Sequence, residues 1–178
     1  FSELAKDYWD RQFSMGIFSA HQNYNRYKNH IYKVLIPSMQ MIRLSRPDGS
    51  HNGKVSDSGK FIFDTYTNIK TPRHIELISG SGKKMRPILH AENPLKDYKY
   101  GTPEVFELES FDGEKLWCRM IKPSNFDASK KYPVLVYTYN GPHVQLVRNS
   151  WMASAPLWMY SMAEEGYIIF SVDGRGSA

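Results

Sequence analysis

Apolar positions alternate with polar ones through the first half of the chain and close into unbroken runs near its end, so two kinds of sheet are predicted. From Gly16 the alternation predicts a strand over Ile17 to Ala20, a polar loop from Gln22 to Asn29, and a second strand over His30 to Ile36. Pro37-Ser38 turns the chain and Met41 to Leu44 returns as a strand. Arg46-Pro47-Asp48-Gly49 predicts a turn whose φ is preset by the proline, with a positive φ taken by the glycine. An Asp/Ser/Gly turn within Val55 to Lys60 feeds an alternating strand over Phe61 to Tyr66. Arg73 to Ile78, a glycine turn at Gly80-Ser81-Gly82 and a strand near Pro87 to Leu89 follow. Residues 1 to 13 mix charges with aromatics and fit either a helical turn or a distorted strand pair.

About four meandering strands in some 40 to 50 residues is the size of one propeller blade, with a small free-standing barrel as the alternative. A single sheet of this kind cannot bury both faces, which favours the blade and implies neighbouring sheets. Met15 to Gln22 fits an earlier strand of the same or the preceding blade. Ala91 to Pro103, punctuated by Asn93-Pro94 and Gly101-Thr102-Pro103, reads as a connector and a domain boundary.

Beyond the connector the pattern changes. Glu104 to Ser110 and Lys115 to Lys122 predict a hairpin around Asp112-Gly113. After a loop over Pro123 to Lys131, the apolar run within Lys131 to Pro142, launched by Pro133 and stopped by Asn140-Gly141-Pro142, predicts a short strand buried on both faces. Ser154 is placed to cap a helix with Pro156 in its first turn, Gly166 to end it, and Tyr167 to Val172 to form the next buried strand. Strand, helix and strand, apolar throughout, predict a parallel βαβ unit covered on both faces, with Trp151 beneath the helix.

Composition narrows the function classes. The 178 residues, 41% hydrophobic and 14% aromatic, suffice for one domain or two small ones with a packed core. No apolar run reaches membrane-spanning length, so no membrane span is expected in this segment. Phe1 to Gln12 carry Glu3, Lys6, Asp7, Asp10 and Arg11, which is no secretory signal. The absence of an initiator methionine and a final strand with no helix after it predict a piece of a longer protein. The net charge of +5 comes from basic residues interleaved with acidic ones, which gives no footprint for nucleic acid. The single cysteine, Cys118, lies in the alternating run Leu116 to Ile121 and predicts a buried thiol without a histidine to activate it.

Motif chemistry is sparse. Gly80-Ser81-Gly82-Lys83-Lys84 lacks the glycine and the hydroxyl residue a phosphate loop needs, standing as Leu77 and Lys84 at those positions, and reads as a hairpin turn. Gly174-Arg175-Gly176 after an apolar strand is two glycines of a dinucleotide fingerprint and no more. Asn23 to His30 interleave aromatics with basic residues in a way some single-strand binders use, and read more simply as a solvated loop. The six histidines lie on separate turns and strands without ligand spacing, so neither metal nor cofactor is implied. No Gly-x-Ser-x-Gly occurs and no Ser, His, Asp set can be assembled. Glu164-Glu165, at a helix end, point to solvent in different directions.

Five segments together resemble a known family. Phe111-Asp112-Gly113, Ile121-Lys122-Pro123, Phe126 to Pro133, Tyr139-Asn140-Gly141-Pro142 and Val172 to Ser177 resemble the dipeptidyl peptidase IV branch of the prolyl oligopeptidase family of serine peptidases. Asp48 to Asn52 and Val55 to Lys60 are similar to that branch's last propeller blade. The likeness covers most of residues 30 to 178. It implies one or more C-terminal propeller blades over residues 1 to 92. Residues 93 to 178 would then be a linker and the N-terminal part of an α/β-hydrolase domain, both domains being incomplete.

By the same resemblance the full protein releases X-Pro or X-Ala dipeptides from peptides with a free N-terminus. The serine, acid and histidine of its triad are expected beyond residue 178, and the acidic anchor for the substrate amine upstream. The chain alone is then expected to be inactive. Tyr139 is the catalytic residue that carries over, as a phenolic donor to the oxyanion hole. Its reading from the residues alone is a core tyrosine at a strand end. Where many relatives have a glycine, this chain has Asn140, which also tolerates left-handed backbone. Asp173 and Arg175 are expected to build the loop. The resemblance allows a homodimer of the full-length protein and points to the periplasm or cell surface. A non-catalytic relative serving as a binding protein, and another prolyl oligopeptidase-type peptidase, are the alternatives.

Overall fold

The computed structural model describes residues 15–22, 25–35, 38–46, 48–139, 141, 144–175 and 177. The expectation for residues 1 to 13 lies outside them. The chain divides into two compact units: unit 1 takes in Phe1–Thr67 and Arg73–Ala91, and unit 2 takes in Asn68–Pro72 and Glu92–Ala178.

Unit 1 is built on one sheet. Its strands are β1 (Met15–Gln22), β2 (Asn25–Leu35), β3 (Gln40–Arg43), β4 (Ser50–Val55), β5 (Phe61–Asn68), β6 (Thr71–Ser79) and β7 (Lys84–His90). They lie in the order β1-β2-β4-β5-β6-β7, with β3 paired to β2. The β4 to β7 meander follows the predicted turns, and Gly59 and Gly82 take the positive φ those turns need. Alternation along β5 is clean: Ile62, Asp64 and Tyr66 are buried, while Phe61 and Phe63 are exposed. The core of this unit is one packed cluster of Ile31, Leu44, Ile62 and Ile78.

Two expectations for unit 1 need correction. The loop expected from Gln22 to Asn29 is largely strand: β2 begins at Asn25, and Ala20, His21 and Gln22 pair with His30, Asn29 and Asn25 across a bulge. Backbone groups pair whatever the side chains carry, and a run of polar side chains hid that ladder. Tyr27, expected in solvent, is buried, which pushes its phenol up to about 12. The second correction concerns Gly49, which does not have a positive φ. A Cβ there would stand 2.5 Å from Thr67 O and 2.5 Å from the Tyr66 ring, so close approach is what excludes a side chain.

Unit 2 holds a four-stranded sheet in the order β10-β11-β9-β8, made of β8 (Glu104–Glu109), β9 (Lys115–Ile121), β10 (Val134–Val136) and β11 (Ile168–Val172). The β8–β9 hairpin turns at Gly113 with φ +84, as Asp112-Gly113 predicts. Strands β10 and β11 pair in parallel, Val134 with Ile168 through Val136 with Phe170, across helix α1 (Leu157–Glu164). Met159, Tyr160 and Ala163 of α1 pack on Ile121, Met152 and Ile169, with Trp151 and Leu135 against the same cluster.

The βαβ unit is therefore present, but its first strand is not covered on both faces. Val134 and Val136 are 57% and 61% exposed, because Leu135 between them packs on the α1 cluster and they point to the opposite face of the sheet. Ser154 does not cap α1 either. Pro156 occupies the cap position, and Ser154 Oγ is hydrogen-bonded to Ser150 Oγ in a 3₁₀ turn over Trp151–Ser154. Gly166, with φ +95, ends the helix.

Candidate functional site

Tyr139 stands just past the carboxyl end of β10. The strand's last pairing contact is the Tyr137 N–H, which donates to Phe170 O at 2.8 Å, and the chain then leaves the sheet. The carboxyl edge of a parallel pair is where α/β sheets place ligands. Tyr139 is 62% exposed, so it is not the core tyrosine that the residues alone suggest. Its ring lies over Gly141: a Cβ on that glycine would be 2.3 Å from Tyr139 Cε1. Asn140 lies outside the described residues.

The chain is taken up again by Asp173, at the end of β11. Its carboxylate accepts from the Leu146 N–H at 2.8 Å and the Val147 N–H at 2.9 Å, and its own N–H donates to Trp117 O at 3.0 Å. Asp173 thus builds the loop, as expected. Arg175 forms an ion pair with Asp112, joining that segment to the hairpin turn.

Sequence reasoning missed Arg119. It sits on β9 directly across from Ser171 on β11 and is only 2% exposed. Its Nη1 donates to Leu146 O and to Ala153 O, both at 2.8 Å, and its Nη2 to Ser171 Oγ at 3.0 Å. Burial lowers its pKa, opposed by Tyr160, Asp173 and Tyr137. The available signal was a charge inside an apolar strand, which has to find partners. Its neighbour Cys118 is fully buried, and burial, then the charge of Asp173, push the thiol up to about 11. That thiol is no nucleophile.

Unit 1 gathers the other titratable groups. Rings of His30, His51, Tyr66, His74 and His90 succeed one another across the sheet, with centroids 5.3, 4.7, 6.1 and 4.2 Å apart. His51 Nδ1 is 2.8 Å from Asp64 Oδ2, and His30 Nδ1 is 3.1 Å from Ser45 Oγ. A Ser–His contact thus exists, yet Ser45 and His30 are both buried beyond the reach of a substrate, and Ser45 Oγ already accepts from the Ile31 N–H. Burial, then the charge of Arg43, push His30 down to about 4. A cavity of about 750 Å³ in unit 1 is lined by Arg43, Asp48, Asp64, Glu76 and Lys84 among others. Its carboxylates are engaged. Asp48 accepts from Lys28 and Arg43, which hold it down to about 2, and Glu76 pairs with Lys84. Among the described residues no group of three or more His, Cys, Asp or Glu could hold a metal, and no helix is long and apolar enough to cross a membrane.

Comparison with known proteins agrees with the motif resemblance. No family model matches the chain. Human dipeptidyl peptidase 8 is 31% identical over 161 residues, covering 84% of this chain and 18% of that protein. Human prolyl endopeptidase FAP is 43% identical over 88 residues, 49% of this chain and 11% of that protein. A crystal structure from Bacteroides ovatus, assigned as a dipeptidyl aminopeptidase IV, superimposes with a TM-score of 0.84 at 35% identity, over 93% of this chain and 24% of that one. The chain therefore spans less than a quarter of the length of these relatives. By motif order, sequence and fold, it belongs to the dipeptidyl peptidase IV branch of the prolyl oligopeptidase family.

Proposed function

We propose that this chain is the part of a serine-type dipeptidyl aminopeptidase in which the propeller ends and the α/β-hydrolase domain begins. Unit 1 supplies C-terminal blade material and unit 2 the linker and first βαβ unit of the catalytic domain. The full protein would release X-Pro or X-Ala dipeptides from peptides with a free N-terminus, with its triad beyond residue 178.

Within this chain the reaction falls to Tyr139. When a serine attacks the scissile carbonyl, negative charge gathers on the carbonyl oxygen, and a phenolic O–H held in advance donates to it more strongly than to the substrate. The observation that carries the reading is the exposed phenol at the carboxyl end of a parallel pair, with its ring packed against Gly141.

Tyr139→Phe in the full-length protein tests it. Loss of one oxyanion donor is expected to lower kcat on Gly-Pro p-nitroanilide by about a hundred- to a thousandfold, with KM little changed. Residues 1–178 alone, as a control, are expected to give no turnover. An unchanged kcat in the variant would falsify the role of Tyr139.

A further inference from the structure

The segment that carries Tyr139 is fastened to β11 at both ends. On one side the Tyr137 N–H donates to Phe170 O, and on the other the Leu146 and Val147 N–H groups donate to the Asp173 carboxylate. Phe170 and Asp173 lie on one short stretch of chain, about 10 Å apart along an extended strand. Tyr137 on one side of Tyr139, and Leu146 and Val147 on the other, are therefore held at the same end of β11.

Arg119 completes the second fastening from the other side of the same peptide. The peptide that joins Leu146 to Val147 gives its N–H, on Val147, to Asp173 and its C=O, on Leu146, to Arg119 Nη1, while Arg119 Nη2 grips Ser171 Oγ on β11. A methionine or leucine would fill this strand position without burying a cation. The guanidinium differs in offering several donors in one rigid plane, which fixes the angles between the groups it holds.

We propose that Arg119, acting with Asp173, is a positioning residue for Tyr139: together they hold the Leu146 peptide on the end of β11 and so fix where the phenol stands. The proposal rests on the reading of Tyr139 as an oxyanion donor. A donor of that kind works by being in place before charge develops, so tethers on its segment act on the chemical step more than on substrate binding.

The test is a double-mutant cycle in the full-length protein, with kcat and KM for Gly-Pro p-nitroanilide measured for wild type, Arg119→Met, Tyr139→Phe and the pair. Arg119→Met is expected to lower kcat by about a hundredfold, with KM moving no more than about twofold. The double variant is expected to be no slower than Tyr139→Phe, because Arg119 acts through a hydroxyl that is already gone. Arg119→Lys, which keeps the charge and loses the planar fork, should fall between. Two losses that simply multiply, or an Arg119→Met protein with unchanged kcat, would sink the proposal and leave the role of Tyr139 standing. A Tyr139→Phe protein with unchanged kcat would remove the reading of Tyr139, and the proposal with it. If Arg119→Met does not fold, Asp173→Asn, which weakens the hold on the same peptide, takes its place in the cycle with the same expectation of non-additivity.

Discussion

Gly141 has no room for a methyl group, and what occupies the room is the ring of Tyr139: Cε1, Cδ1 and Cζ lie 2.3, 2.9 and 3.1 Å from where a Cβ would be. The positions of residues 139 and 141 are thus a single structural fact, a ring folded back over its own turn. Tyr139 lacks core packing to hold it, being mostly exposed, so the seat on Gly141 supplies local restraint. Gly141→Ala is expected to push the ring off its seat. In the full-length protein kcat should fall by about a hundredfold while the fold, read by thermal unfolding, stays close to wild type, since the ring faces solvent and can turn away. A Gly141→Ala protein as fast as wild type would mean that the ring position does not matter to the reaction.

At the scale of elements, β2 carries the consequence of burying a histidine. His30 is fully buried, in contact with Ser45 Oγ, with Asp48, Arg43, Lys28 and His51 as the charged and titratable groups around it. Its pKa in the fold is about 4 against an ordinary 6.5, so the unfolded chain takes up the proton first. The stabilisation from keeping His30 neutral is complete above pH 6.5 and is lost as pH falls toward 4, by about 3 kcal/mol at most. His74 shifts in the same direction. Hydrogen exchange over β2 and β3, corrected for intrinsic rates, should reveal easier opening as pH drops from 6.5 to 4, with the slope flattened in His30→Asn. Equal slopes in the two proteins would remove His30 as the cause. Legibility followed the same physics. Alternation exposed β5 and the β8–β9 hairpin because each side chain there reports its own face. It missed the start of β2, where the ladder is made by backbone, and the open face of β10, since an unbroken apolar run reports a wish for burial without naming the cover. Tyr139 was readable because its turn is a short motif. Arg119 and the ring column from His30 to His90 were not, because their partners come from strands far apart in sequence.

At the scale of the whole molecule, unit 1 leaves apolar side chains on the side of its sheet away from its core. Phe61 and Phe63 of β5 are 43% and 37% exposed while their neighbours Ile62 and Asp64 are buried, and Met85 and Leu89 of β7 are exposed as well. A sheet with apolar groups on both faces belongs between two layers, since such surface left in water is an aggregation hazard. The proposed place of unit 1 at the end of a propeller supplies the second layer, because each blade packs face to face with its neighbours. Phe61→Asp separates the two cases. If Phe61 meets a neighbouring blade, the substitution should destabilise the full-length protein by about 1.5 to 3 kcal/mol, the scale of burying such a side chain, and more where the carboxylate is left unpaired. If Phe61 faces water, the change should stay within about 0.5 kcal/mol. Urea unfolding followed by proteolytic susceptibility of β5 distinguishes these outcomes, and the smaller one would leave the blade reading without support from the sheet itself.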